Sequence, residues 1–158
     1  MRLHTASEGI TLAKKLENDS AKYYEEEAER LPEVTELFHA FAKENKRNVT
    51  YIERTYYGVI TDAIEASYCF DLDPSGYLLD LQFPDSEDIR VTLIEKSLEI
   101  EKLIITFYTE AAEQSESLMA DIPRAFVLIA KKRRRRVCQL EGLLAELQSC
   151  TYELNSRC

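Results

Sequence analysis

Residues 16–29 read LENDSAKYYEEEAE, and residues 100–113 read IEKLIITFYTEAAE. At an offset of 84 positions, both segments carry a glutamate, a tyrosine seven residues later and an acidic end. The matched pairs are Glu17 with Glu101, Tyr24 with Tyr108, Glu26 with Glu110, Ala28 with Ala112 and Glu29 with Glu113. Residues seven apart lie on one face of an α-helix. The segments therefore predict two equivalent helices, one in each half of the chain.

A second pair of segments repeats in the same way, at an offset of 88 positions. The matches are Phe38 with Phe126, Ala42 with Ala130, Lys43 with Lys131, Arg47 with Arg135, Val49 with Val137 and Glu53 with Glu141. Helical composition alone produces a few such matches by chance. Agreement in both pairs of segments indicates instead that a helical hairpin has been duplicated.

Apolar residues recur at helical spacing in four long segments, and Pro and Gly fall mainly near the ends of those segments. The predicted helices cover about residues 10–31, 33–67, 91–115 and 122–154. Between them, residues 68–90 lose the periodicity and contain turn or breaker signals at 73–76 and at Pro84. We therefore expect an all-α fold, a four-helix bundle of two αα-hairpins in a single domain over residues 1–158. The long crossover, 68–90, is expected to carry a short helix of its own.

The composition agrees with a helical protein. Only 4 Gly and 4 Pro occur in 158 residues, of which 45% are hydrophobic and 31% charged, which argues against disorder and against a turn-rich sheet protein. Twenty Lys and Arg against 29 Asp and Glu give a net charge of −9, which opposes nonspecific attraction to nucleic acid or to an anionic membrane. We therefore expect neither as a partner.

The sequence leads us to expect neither a signal peptide nor a membrane-spanning segment, and it contains no closely spaced cysteine pair. No apolar run approaches the roughly 18–20 residues that span a bilayer, and residues 1–15 do not resemble a signal peptide, so a cytoplasmic protein is expected. The four cysteines form no C-x-x-C pair and are expected to be free thiols: Cys69, Cys138, Cys150 and Cys158.

A run of six basic residues, Lys131 to Arg136, interrupts the acidic chain. Nucleic-acid binding, a localisation signal, and a solvated face docked against acidic helices are three interpretations of the run. The net negative charge and the absence of interleaved aromatic residues count against nucleic acid. The apolar line through Phe126, Ile129, Val137 and Leu140 passes through positions 133 and 136. It predicts that Arg133 and Arg136 point inward and that Arg134 and Arg135 face solvent.

The duplicated αα-hairpins on either side of a long crossover, the two Glu-x6-Tyr helices and the stretch from Phe38 to Glu44 resemble the rubrerythrin branch of the ferritin-like superfamily. The resemblance covers nearly the whole chain apart from the crossover. It implies a ferritin-like bundle, a homodimer, and two iron ions at the bundle centre. In such families the metal ligands are a Glu from the first and third helices and a Glu-x-x-His from the second and fourth.

The chain departs from that pattern at four of the six ligand positions. Glu17 and Glu101 match the first- and third-helix ligands, whereas Asn45 and Asn48 stand in place of the second-helix Glu and His, and Arg133 and Arg136 in place of the fourth-helix pair. Two glutamates and two inward arginines would leave the centre neutral without metal. Guanidinium groups also match carboxylates in bidentate geometry. We therefore expect a Glu/Arg/Asn network at these degenerate ligand positions, with no metal, no other cofactor and no catalytic residue. Tyr24 and Tyr108 are expected to hydrogen-bond in the same core.

Three functions agree with these residues. The first is a metal-free, non-catalytic bundle with a binding or assembly role, which the missing ligands and the absence of an electron-delivering cysteine motif favour. The second is a rubrerythrin- or ferritin-type oxidoreductase, a peroxidase or ferroxidase, which the rest of the resemblance favours but arginine at ligand positions opposes. The third is a protein that binds a small anion between the two arginines. The sequence favours the first, a protein that is not an enzyme.

Overall fold

Long helices make up most of the structure, a computed structural model that describes residues 1–83, 85–117 and 121–157. In chain order they are α1 (Ala6–Glu27), α2 (Thr35–Val59), the short α3 (Asp62–Ala66), α4 (Ile89–Ser115) and α5 (Ile122–Ser156). The crossover also carries a 3₁₀ helix, Pro74–Tyr77. The described part of the chain contains no strand beyond one isolated bridge between Leu3 and Leu72. The all-α prediction is confirmed, while Pro84 and Cys158, both noted in the sequence, lie outside the described residues.

The first helix begins and ends four residues before the predicted range of 10–31. Its start is set by a capping box, in which the Thr5 hydroxyl accepts from the Glu8 amide at 3.3 Å and the Glu8 carboxylate accepts from the Thr5 amide at 3.0 Å. Its last turn is acidic and contains no basic residue, which the helix dipole disfavours. The helix therefore ends at Glu27 and not near Leu31.

The second helix ends at Val59, so the prediction of one continuous helix over 33–67 is wrong in its last turns. Ile60 has extended backbone, and the Thr61 hydroxyl accepts from the Ile64 amide at 3.2 Å to start α3. Val59, Ile60 and Ile64 all pack against the core. The apolar spacing continues across the break, which is why periodicity does not reveal it.

The helices pair as two hairpins, α1 with α2 and α4 with α5, and α1 packs on α4 while α2 packs on α5. Tyr24 reaches Glu101, and Tyr108 reaches Glu17, so α1 and α4 run antiparallel. Arg136 near the middle of α5 contacts Phe41 of α2, and the start of α5 lies beside the end of α2, so these helices are also antiparallel. The segment between α2 and α4 therefore returns the chain along the length of the bundle.

One continuous apolar core includes side chains from all four long helices and from the crossover. In one half, Tyr24 packs edge-on against Phe38 with ring centres 4.9 Å apart. In the other half, Tyr108 packs against Phe126 at 5.5 Å. These pairs occupy equivalent positions in the sequence repeat, so the two hairpins contribute matching aromatic clusters to the core. No helix within the described ranges is both long enough and apolar enough to cross a bilayer.

Candidate functional site

The six residues that the sequence singled out lie together at the centre of the bundle. They come from all four long helices, and each is buried: Glu17, Asn45, Asn48, Glu101 and Arg133 are 0% exposed, and Arg136 is 2% exposed. Burial of this many polar groups is tolerated only when they are paired and hydrogen-bonded. Their mutual contacts therefore determine what the centre can do.

Arg133 lies between the two glutamates and bonds to both. Its Nη1 donates to Glu101 Oε1 at 2.9 Å and to Oε2 at 2.8 Å. Its Nε donates to Glu17 Oε1 at 3.2 Å, and its Nη2 lies 2.9 Å from Glu17 Oε2. Nη2 also donates to the Ser20 hydroxyl at 3.2 Å. All three guanidinium nitrogens are thus engaged, and both carboxylates face one cation.

Arg136 links the centre to Glu44 and Phe41 of α2, at the outer groove between α2 and α5 that these residues line. Its Nη1 donates to Glu101 Oε1 at 3.2 Å. Its Nη2 and Nε donate to Glu44 Oε2 at 2.6 Å and 3.0 Å, and its guanidinium lies 4.8 Å from the centre of the Phe41 ring. Glu44 therefore adds a third carboxylate to the network, and its side chain is 32% exposed.

The two buried tyrosines bond across the bundle in a crossed pattern. Tyr24 of α1 donates to Glu101 Oε1 of α4 at 2.7 Å, and Tyr108 of α4 donates to Glu17 Oε1 of α1 at 2.8 Å. Since the repeat makes Tyr24 equivalent to Tyr108 and Glu17 equivalent to Glu101, the two bonds are related by the same pseudo-symmetry as the hairpins. Each hairpin's tyrosine stabilises the carboxylate of the other.

The two asparagines bond only through their amide nitrogens. Asn48 Nδ2 donates to Glu17 Oε2 at 3.2 Å, and Asn45 Nδ2 donates to the Ser20 hydroxyl at 2.8 Å. Among the described atoms, neither amide oxygen has a hydrogen-bond donor. The asparagines therefore provide donors to the carboxylate side of the network and add no charge.

Electrostatics keeps the Glu101–Arg133 pair ionised. Burial alone would raise the pKa of Glu101, but the charges of Arg133 and Arg136 and a hydrogen bond from Tyr24 outweigh it and lower that pKa. Burial opposes the charge on Arg133, but Glu101 and Glu17 raise its pKa further above its ordinary value. Burial, together with the neighbouring glutamates, raises the pKa of Tyr24 and of Tyr108 well above 10. Both tyrosines therefore remain protonated donors.

Two members of the network, Ser20 and Glu44, were not predicted from the sequence. Ser20 lies three residues after Glu17, a spacing that places both side chains on one face of α1, so the signal for it was present. Glu44 is adjacent to Asn45 and lies off the inward line of α2, where periodicity predicts a solvated residue. It joins the network because Arg136 is long enough to reach it.

A dinuclear iron site does not fit the donors at this centre. Both glutamates that the family resemblance assigns to metal are held by Arg133, and Arg136 holds Glu101 as well. The positive charge of a guanidinium would repel a metal cation placed between Glu17 and Glu101. Over the described ranges, no group of three or more His, Cys, Asp or Glu side chains is placed to hold a metal ion.

The other members of the basic run behave as periodicity predicts. Arg134 and Arg135 are exposed, and Arg134 Nη2 donates to the Thr109 hydroxyl at 3.1 Å. Within the described chain, the exposed members of the run form no ion pair with the acidic helices. The three described cysteines are free thiols: Cys69 is buried, and Cys138 and Cys150 are exposed.

Comparison of the chain with protein-family models, with curated proteins and with solved structures found no match.

Proposed function

We propose that this chain is a metal-free, ferritin-like bundle of rubrerythrin type that acts by binding or assembly and not by catalysis. In this proposal a buried network of glutamate, arginine and asparagine takes the position of the di-iron centre. The network stabilises the bundle, and the outer surfaces carry the function.

Arg133 provides the strongest support. It bonds simultaneously to Glu17 and Glu101, the two residues that the resemblance places as metal ligands. One guanidinium thus supplies positive charge between the carboxylates, which is what two divalent cations would supply in a metal-binding relative. Because the charge is covalently attached, it does not depend on metal supply.

The helix arrangement also supports the ferritin-like assignment. Two antiparallel hairpins, a connection that returns along the bundle, and a pseudo-twofold pair of Glu–Tyr bonds are all features that a duplicated ferritin-like hairpin would give. We infer a homodimer from the same resemblance, and sedimentation of the purified chain tests that inference.

The other two functions have less support. A rubrerythrin- or ferritin-type oxidoreductase would need iron at a centre where arginines hold the carboxylates. A small anion at the centre would have to displace Glu17 and Glu101 from Arg133, whose nitrogens are already engaged. We therefore propose neither function.

Restoration of the missing ligands tests the proposal. The quadruple variant Asn45→Glu, Asn48→His, Arg133→Glu and Arg136→His should bind about two Fe(II) or Mn(II) ions per chain after dialysis, as the ligand set of such families implies. The natural chain, treated identically, should retain none, as elemental analysis would show. Addition of Glu17→Gln and Glu101→Gln to the quadruple variant is the matched control and should abolish retention.

Two results would contradict the proposal. Retention of two metal ions per chain by the natural protein would show that metal binding displaces the arginine side chains from the centre. A folded quadruple variant, verified by circular dichroism, that binds no metal would show that these positions are not a former metal site. If the quadruple variant does not fold, elemental analysis of the natural chain still tests the proposal, because retained metal would contradict it.

A further inference from the structure

The outer groove between α2 and α5 is lined by a cluster of cations. Arg47 of α2 and Lys132, Arg135 and Arg136 of α5 line a cavity of about 480 Å³. Glu44 is the one carboxylate among its described lining residues, and it is already bonded to Arg136. The groove therefore carries a local charge of about +3 on a chain whose net charge is −9.

Three of these cations have no counter-charge within the described chain. Arg47, Lys132 and Arg135 take part in none of its ion pairs and donate no side-chain hydrogen bond. Elsewhere on the described surface, some of the chain's 29 acidic residues form ion pairs, as Glu25 does with Lys46. Unpaired like charges along one groove repel each other, so an acidic ligand there would stabilise the protein.

Apolar residues line the groove together with the cations. They are Leu37, Ala40 and Phe41, of which Ala40 is exposed and Phe41 is buried. A second cavity between α2 and α5 is lined by Tyr51, Arg54 and Arg124, and also by Asp121, which pairs with Arg124. The unpaired cations Arg47, Lys132 and Arg135 therefore lie together at the first cavity, beside an apolar lining.

We propose that this groove, defined by Arg47, Lys132, Arg135 and Arg136, binds an acidic, partly apolar segment of a partner protein. Carboxylates of the segment would pair with Arg47, Lys132 and Arg135, and its apolar side chains would contact Leu37 and Ala40. At physiological ionic strength the Debye length is about 8 Å, so the local positive charge outweighs the more distant negative charge of the chain. A nucleic-acid strand is less suitable because, among the described residues that line the two cavities, Tyr51 is the one aromatic side chain that is exposed enough to stack on a base.

This inference rests on the binding role proposed above and specifies where that role resides. It does not depend on whether the bundle centre is a former metal site, because it concerns side chains on the outer surface. Metal analysis and the peptide titration below can therefore fail independently of each other.

The probe is a 12-residue peptide of four Glu-Glu-Leu repeats, titrated into the isotopically labelled protein at low salt and followed by amide chemical shifts. We expect saturable shifts on α2 and α5 around the groove. The triple variant Arg47→Ser, Lys132→Ser, Arg135→Ser should bind about tenfold more weakly, the loss expected from three modest exposed charge pairs. The matched control, Lys15→Ser, Lys22→Ser, Lys102→Ser, makes the same change in net charge on other faces and should bind almost as the natural chain does.

Four results would overturn the proposal. One is the absence of saturable shifts at the groove. A second is equal weakening by the control variant, which would show that only net charge matters. A third is tighter binding of a ten-nucleotide thymidine strand than of the peptide, which would assign the groove to nucleic acid. The fourth is salt-sensitive self-association that only the triple variant abolishes, which would assign the groove to a second copy of the chain.

Discussion

Replacement of Arg133 by methionine removes the cation that both central glutamates face, while an unbranched side chain still fills the core. Loss of one partner from a buried ion pair costs about 3–5 kcal/mol, because the remaining charge stays buried without compensation. Glu101 keeps its bonds to Arg136 and Tyr24, and Glu17 keeps its bond to Tyr108, so neither carboxylate is left without any donor. We expect a loss of about 3–5 kcal/mol, which in a chain of this size lowers the Tm by roughly 6–20 °C.

Urea unfolding followed by far-UV circular dichroism at pH 7 measures this loss. The matched control is Arg134→Met, one position along the same helix, where the side chain is exposed and, among the described residues, donates to Thr109 alone. Exposed substitutions of this kind change the free energy of unfolding by about 0.5 kcal/mol or less. Equal unfolding free energies for the two variants would refute the role assigned to Arg133.

The pH dependence shows whether the loss is electrostatic. In the natural chain the charges of Arg133 and Arg136 outweigh burial and lower the pKa of Glu101; without Arg133, burial should move that pKa upward. The variant then gains from proton uptake as the pH falls, so its deficit relative to the natural chain should shrink between pH 7 and pH 5. Glu101→Gln added to Arg133→Met should likewise restore part of the stability. A deficit that does not change with pH would indicate lost packing instead.

Three further predictions concern the same fold. Tyr24→Phe and Tyr108→Phe each remove one hydrogen bond to a buried carboxylate, so each should cost about 1.5–3 kcal/mol in urea unfolding, and an unchanged free energy of unfolding in either variant would contradict the corresponding bond. Because the folded-state pKa of Glu101 is lowered from 4.5, ionised Glu101 contributes to the stability of the fold above that pH. This contribution is lost as the pH falls below it. The Glu101→Gln variant should therefore lose less stability than the natural chain between pH 5 and pH 3, and parallel curves would refute this. Gly9→Ala should cost about 1–3 kcal/mol because its Cβ would overlap the Phe70 ring, whereas the Cβ of Gly142→Ala meets no described atom within 4 Å, so this variant should stabilise α5 by about 0.5–1 kcal/mol. Thermal melts of the two glycine variants that shift in the same direction would contradict the packing at Gly9.

The long helices and the inward arginines were predictable because both follow from periodicity. A 3.6-residue pattern places Arg133 and Arg136 on the apolar line of α5, and the structure buries both. The internal repeat likewise indicates which residues of the two hairpins are equivalent. The crossed bonds between Tyr24 and Glu101 and between Tyr108 and Glu17 obey that equivalence.

Features that depend on local capping or on side-chain reach were not predicted. The break after Val59 depends on extended backbone at Ile60 and on the Thr61 cap, neither of which interrupts the apolar spacing. The bond between Arg136 and Glu44 depends on the length of the arginine side chain, and Glu44 lies off the inward line of its helix. The capping box of Thr5 and Glu8 is different, because its T-x-x-E pattern is readable in the sequence.

X-ray diffraction from crystals soaked in Mn(II) tests the central claim most directly, with anomalous scattering locating any bound metal. The account predicts planar guanidinium density for Arg133 between Glu17 and Glu101, with no anomalous peak at the bundle centre. Two strong anomalous peaks between those glutamates, with Arg133 displaced, would contradict it.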